Sequence, residues 1–134
     1  MELLGERWQT EDLLDSECRC GETIYRKKAL QMETCSRTLV LHLKRWEERH
    51  WPKFHTIKHQ TDISFDFLLP LPERAVPYEL LAVVVHHGQV RNGHYTAFIK
   101  STDQNWYHCD DRAPPQRVSP AKALAAQAYL MFYE

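Results

Sequence analysis

The run Tyr78-Glu-Leu-Leu-Ala-Val-Val-Val-His-His87 sets the strongest limit on what this chain can fold into. Leu80 to Val85 are apolar at successive positions, so an extended backbone there presents an apolar side chain to both faces. That is the pattern of a strand inside a sheet, covered above and below. Three adjacent valines, with Pro77 before the run and Gly88 after it, argue for strand over buried helix. The apolar run is far too short to span a bilayer, so its neighbours must be other strands.

Other segments can supply those neighbours. Thr38 to Trp46 alternates Leu39, Leu41 and Leu43 against Val40, His42 and Lys44, which predicts a strand with one buried face. Tyr95 to Lys100, Trp106 to Asp110 and Ala128 to Tyr133 read as three more. Ser119-Pro120 ahead of Ala121, Ala123 and Leu124 predicts a short helix, with Ser as N-cap and Pro at its first position. Pro70, Pro72 and Pro77 keep residues 65–77 extended or looped. Residues 3–16 read as a short helix or two, with Leu3, Leu4, Leu13 and Leu14 as apolar contacts, and Ile24 to Met32 as an exposed strand. Residues 47–63, charged and rich in histidine, receive no assignment. The expected class is α+β: a twisted antiparallel sheet with short helices, mainly at the start. At 134 residues the chain is long enough for one compact domain with a core.

Composition narrows the function classes. A net charge of -1 with scattered Lys and Arg provides no field for nucleic acid or a membrane surface. The Arg26-Lys27-Lys28 tract reads as a solvated strand face. Met1 to Trp8 carries Glu2, Glu6 and Arg7 and has no apolar core, so no secretory signal is read there and the expected compartment is cytoplasm or nucleus. The four cysteines, Cys18, Cys20, Cys35 and Cys109, are then reduced thiols or metal ligands rather than a disulfide frame.

The chemistry-bearing residues gather at 94–110. Tyr95 to Lys100 and Trp106 to Asp110 flank Ser-Thr-Asp-Gln-Asn, a plausible hairpin turn. Counting across that turn places the partner of His94 between Asp110 and Arg112. One register within this range pairs Phe98 with Trp106, Thr96 with His108 and His94 with Asp110. Directly opposite residues have Cβ atoms roughly 4.5–5.5 Å apart, so imidazole and carboxylate would meet. A slip of one residue would bring Asp111 level instead, and only one of the two acids can face the ring. A carboxylate beside a neutral imidazole fixes its tautomer and stabilises the imidazolium, which is how a Ser or Cys nucleophile is activated. His and Asp also meet across strands for structural reasons alone, and with eight histidines one lying near an aspartate is unsurprising.

Four ordered blocks narrow this further: LVLHLKRW at 39–46, YELLAVVVHHG at 78–88, NGHYTAFIK at 92–100 with NWYHCDD at 105–111, and AYLMFYE at 128–134. Together they resemble the ubiquitin-specific protease family, covering roughly residues 18–134, with Gly93-His94-Tyr95 as the most diagnostic part. The resemblance implies a partial papain-like cysteine protease fold, with an antiparallel palm sheet, a finger remnant at 1–37, a palm at 38–134 and no thumb. It implies His94 as general base, Asp110 as the acid that orients it and Asp111 as a supporting acid. Tyr95 and Gly93 would flank the channel for the ubiquitin tail, and Gly88 to Asn92 would form a mobile loop beside it.

Two departures from the family pattern matter. Members carry the attacking cysteine on a helix before the fingers, whereas here no cysteine precedes Cys18. Cys18 and Cys20 hold finger positions, Cys35 abuts a core strand and is expected to be buried, and Cys109 alternates away from Asp110. The nucleophile-bearing N-terminal part of the domain is therefore expected and absent. The finger uses two Cys-x-x-Cys pairs, but this chain has Cys18-Arg19-Cys20 alone, and His50, His55 and His59 match no ligand spacing. No metal and no cofactor is expected. The reading is a thiol-dependent deubiquitinase whose His/Asp half lies in this chain, inactive alone, with ubiquitin or ubiquitinated proteins as partners. The alternative is a non-catalytic ubiquitin-binding or interaction module on the same fold.

Overall fold

A computed structural model describes residues 11–17, 23–28, 34–71, 75–89 and 92–134. The chain divides into two compact units, Met1–Cys35 and Ser36–Glu134. In the first, strand β1 (Glu11–Glu17) pairs antiparallel with β2 (Thr23–Lys28), Glu11 opposite Lys28 and Glu17 opposite Thr23. The helix expected over 3–16 is thus a strand where it is described, because pairing with β2 outweighs a weak local preference. Its first residues, 3–10, lie outside the described residues, as do Cys18 and Cys20.

The second unit is built on one antiparallel sheet. Its strands are β3 (Leu39–His42), β6 (Leu68–Leu69), β7 (Tyr78–Gln89), β8 (Asn92–Lys100), β9 (Trp106–Asp110), β10 (Ala113–Val118) and β11 (Ala128–Tyr133). They run in the order β10-β9-β8-β7-β11-β3, with β6 paired to the start of β7. The doubly apolar run is therefore interior, between β8 and β11. Helix α1 (Pro120–Leu124) follows Ser119, whose extended backbone fits an N-cap although its hydroxyl makes no cap bond.

The cross-strand register sorts the side chains by face. Leu41, Met131, Val83, Phe98 and His108 form one row across five strands, and its three central members are buried. Phe67 packs on buried Trp106, ring centroids 5.7 Å apart, and the Tyr133 hydroxyl donates to the Asp66 carbonyl at 2.9 Å, which fastens the proline-rich segment to the sheet. The flanking rows point the other way. Val40, Phe132, Ala82, Ile99 and Tyr107 form one, and His42, Leu130, Val84, Ala97 and Cys109 the other; all are half-buried or exposed.

The strand expected over 38–46 is broken by Arg45. Its side chain is buried, with Nε donating to the Ala128 carbonyl (2.7 Å) and Nη1 to the carbonyls of His59 (3.1 Å) and Thr61 (2.8 Å). The chain then restarts as β4 (Trp46–Arg49), hairpinned with β5 (His55–Lys58), which gives structure to part of the unassigned 47–63 segment. Strand β10, which contains Pro114 and Pro115, is not among the strands read from the sequence. It is the sheet edge, and the two prolines fall where its ladder with β9 is interrupted, so no paired N–H is lost. Cys35, expected to be buried, is half-exposed.

Candidate active site

His94 stands near the start of β8 and Asp110 at the end of β9, on the same face of the sheet as the buried row. The observed register pairs Ala97 with Cys109, Phe98 with His108 and Lys100 with Trp106. It differs by two residues from the register that would set His94 directly against Asp110. Phe98 stacks on His108, ring centroids 4.9 Å apart, rather than on Trp106. A shift of two preserves which face each residue takes, because side chains alternate with period two. His94 and Asp110 therefore remain on one face as diagonal neighbours, and the side chains span the offset.

They meet with His94 Nε2 2.9 Å from Asp110 Oδ1, the side chains 34% and 31% exposed. An ionised carboxylate can only accept, so Nε2 carries the proton and Nδ1 is left as the basic nitrogen. Asp110 Oδ1 also accepts the backbone N–H of Arg112 at 3.2 Å, from the turn into β10. That N–H first, and the His94 ring next, hold the Asp110 carboxyl below its usual range. The arrangement is an oriented, solvent-reachable base with a carboxylate that stays ionised.

Asp111 is exposed in the turn after β9, and the ring of His94 meets Asp110 and not Asp111. Tyr95, next along β8, points to the opposite face and is half exposed. Gly93 pairs with Gly88, whose φ of 82° lies in the left-handed region that glycine tolerates. A β-carbon on Gly93 would sit 2.1 Å from His86 Nε2 and 2.8 Å from the His87 carbonyl oxygen, so only glycine fits there. Cys109 lies on the face opposite Asp110, as alternation requires. Among the described residues no cluster of three or more His, Cys, Asp or Glu side chains could hold a metal ion, and no helix is long and apolar enough to cross a membrane.

Sequence reasoning missed four side chains around the pair. His87, directly opposite His94, lies roughly parallel to it at 6.3 Å, and its Nε2 is 2.8 Å from the Thr96 hydroxyl. His86 is buried on the other face, with Lys58 Nζ 3.2 Å from its Nδ1. The doubled histidine at the end of the apolar run was the available signal: in a strand, consecutive residues must serve opposite faces.

Residues 11–133 match the family described as "Ubiquitin carboxyl-terminal hydrolase". Ubiquitin carboxyl-terminal hydrolase 2 of Gallus gallus is 34% identical over 138 residues, covering 92% of this chain and 37% of that protein. Ubiquitin carboxyl-terminal hydrolase 12 of Saccharomyces cerevisiae is 30% identical over 128 residues, covering 85% of this chain and 10% of that protein. A chain of a SAGA DUB module bound to monoubiquitin superposes with a TM-score of 0.81 at 32% identity, covering 98% of this chain and 31% of that one. The chain thus spans well under half the length of each.

Proposed function

The chain belongs to the ubiquitin carboxyl-terminal hydrolase family, and on that premise we propose that it supplies the His/Asp half of a thiol-dependent deubiquitinase site. In this reading residues 38–134 are the palm of a papain-like fold and residues 1–37 a finger remnant. The attacking thiolate comes from a helical segment outside residues 1–134. Ubiquitin, or a protein carrying it, is the partner.

The observation that carries the reading is the contact of His94 Nε2 with Asp110 Oδ1 at 2.9 Å, with both side chains reachable by solvent. Nδ1 of His94 takes the thiol proton, and the thiolate adds to the isopeptide carbonyl carbon. The same nitrogen returns the proton to the departing lysine amine as the C–N bond breaks, leaving a thioester. Water, deprotonated by Nδ1, then hydrolyses that thioester and frees the ubiquitin carboxylate. Asp110 keeps the proton on Nε2 and stabilises the imidazolium between the two transfers. Asp111, exposed beside the pair, adds negative potential at the imidazolium. Tyr95 and the bare backbone of Gly93 border the path of the ubiquitin tail. Cys109 faces away from His94, which supports an external thiol.

A chimera tests this, with the chain replacing the matching segment of the chicken relative. It should release ubiquitin from a ubiquitin amide, and His94→Ala should slow that release by about 10³-fold or more. A chimera that turns over no faster than its His94→Ala form overturns the reading. The isolated chain should form no adduct with a ubiquitin probe bearing a thiol-reactive warhead. Labelling of Cys18, Cys20, Cys35 or Cys109 would mean that the thiol lies within the chain after all.

A further inference from the structure

The contact between His94 and Asp110 is not secured by the ladder between their own strands. The last β8–β9 pair is Ala97 with Cys109, and β9 ends at Asp110. What holds the first residues of β8 is β7, through the pairs His86–Tyr95, His87–His94 and Gly88–Gly93. The place of the His94 ring therefore depends on how firmly the far end of β7 is held.

Lys58, on β5, holds that end. Its ammonium lies 2.6 Å from the His86 carbonyl, 3.2 Å from the Gly88 carbonyl and 3.2 Å from His86 Nδ1, so each of its three donors has an acceptor on β7. Donation to Nδ1 fixes the other His86 proton on Nε2. That nitrogen occupies the volume where a Gly93 side chain would be, directly against the backbone that leads into His94. The His86 ring is also bounded by Trp46 at 5.3 Å, edge-on, and by Tyr95 at 4.6 Å and Tyr129 at 5.9 Å. Lys58 and His86 meet on the sheet face opposite the His94–Asp110 pair, so neither reaches the imidazole of His94 or the carboxylate of Asp110.

The charge state fits the geometry. Burial, and after it the Arg45 charge, lowers the Lys58 ammonium. Burial, then Lys58, then His87 lowers the His86 imidazole. Both directions favour a pair carrying a single positive charge, in which His86 is neutral and accepts at Nδ1.

We infer that Lys58 and His86 are positioning residues for His94: the ammonium ties down the end of β7, and the imidazole sets the height of the Gly93 backbone, so that the ring of residue 94 reaches the carboxylate of residue 110. This deepens the protease reading and rests on it for its meaning, but the test reads the geometry without turnover, so either can fail alone.

The test uses the chain itself, uniformly labelled with ¹⁵N. The readout is the exchange rate with water of the His94 Nε2 proton, with the Val83 and Phe98 amides as internal controls. Asp110→Asn sets the rate expected once the carboxylate bond is weakened. Lys58→Met and His86→Phe should each speed the exchange by about tenfold, the equivalent of one lost hydrogen bond. The control amides should stay at the wild-type rate, and Lys58→Arg should restore the slow rate. If Lys58→Met does not fold, Lys58→Gln and His86→Phe are judged by the same criteria. An unchanged rate in a folded variant overturns the inference. So does acceleration that Lys58→Arg fails to reverse, or acceleration shared by the Val83 and Phe98 amides.

Discussion

Gly93 is the residue at which sequence, packing and the candidate chemistry meet. The His86 ring and the His87 carbonyl already fill the space where its side chain would stand. Gly93→Ala must push back a ring held by Lys58 and a carbonyl held in the sheet, and an overpacked site of this kind costs about 1–3 kcal/mol. Denaturant unfolding should show that loss as a lower midpoint at unchanged slope. A variant as stable as the parent would show that the His86 ring is free to move aside. In the sequence the resemblance gave Gly93 a place beside a substrate channel. Its packing against His86 was not legible, since it depends on which residue of β7 lies behind β8.

The β8–β9 hairpin shows how an element's turn decides its register. Asp103 accepts the Asn105 backbone N–H at 3.0 Å, the Asn105 side-chain amide at 2.9 Å and the Tyr107 hydroxyl at 2.8 Å. Gln104 takes a φ of 66°, and Ser101 and Asn105 close the loop with a 2.9 Å backbone bond. The Asn105 side chain, its backbone N–H and Tyr107, in that order, lower the Asp103 carboxyl from 3.8 to about 2. Because its folded value is depressed, the stabilisation is fully present above the unfolded value near 3.8. It is lost as pH falls from there through about 2. Asp103→Asn should therefore lower the melting temperature at neutral pH and narrow the gap to the parent between pH 4 and pH 2. A gap that stays constant across that interval would separate Asp103 from the stability of the turn. The sequence marked this hairpin but left its register, and with it the face parity, open, because turn residues restrict loop geometry without choosing among loop lengths. Where the two candidate acids were concerned, the turn favoured Asp110 by an even shift, which changes partners without changing faces.

On the scale of the whole molecule, the sheet is covered unequally. The row through Val83 and Phe98 is buried, whereas on the other face Val40 is 48%, Ile99 41% and Tyr95 52% exposed, in a field that includes Leu130, Val84 and Phe132. Apolar rows that continue from strand to strand make a sticky surface. The isolated chain should self-associate with rising concentration in sedimentation velocity. Val40→Lys combined with Ile99→Lys should return it to a monomer with little change in thermal midpoint. A parent chain that stays monomeric across the same range would show that this face is adequately solvated.

By itself, the sequence determined that Tyr95 to Lys100, Trp106 to Asp110 and Ala128 to Tyr133 form strands, that Tyr78 to His87 lies inside a sheet, and that one of Asp110 and Asp111 shares a face with His94. Each of these follows from local alternation and from residues whose backbone preferences are strong. Only the tertiary structure decided that residues 11–17 pair as a strand, that Arg45 turns inward and splits a predicted strand, and that prolines line the sheet edge. It also brought Lys58 against the end of β7, the strand paired with the one that carries His94. Those outcomes depend on partners distant in sequence, and no local pattern encodes which distant backbone group will accept a buried cation's proton.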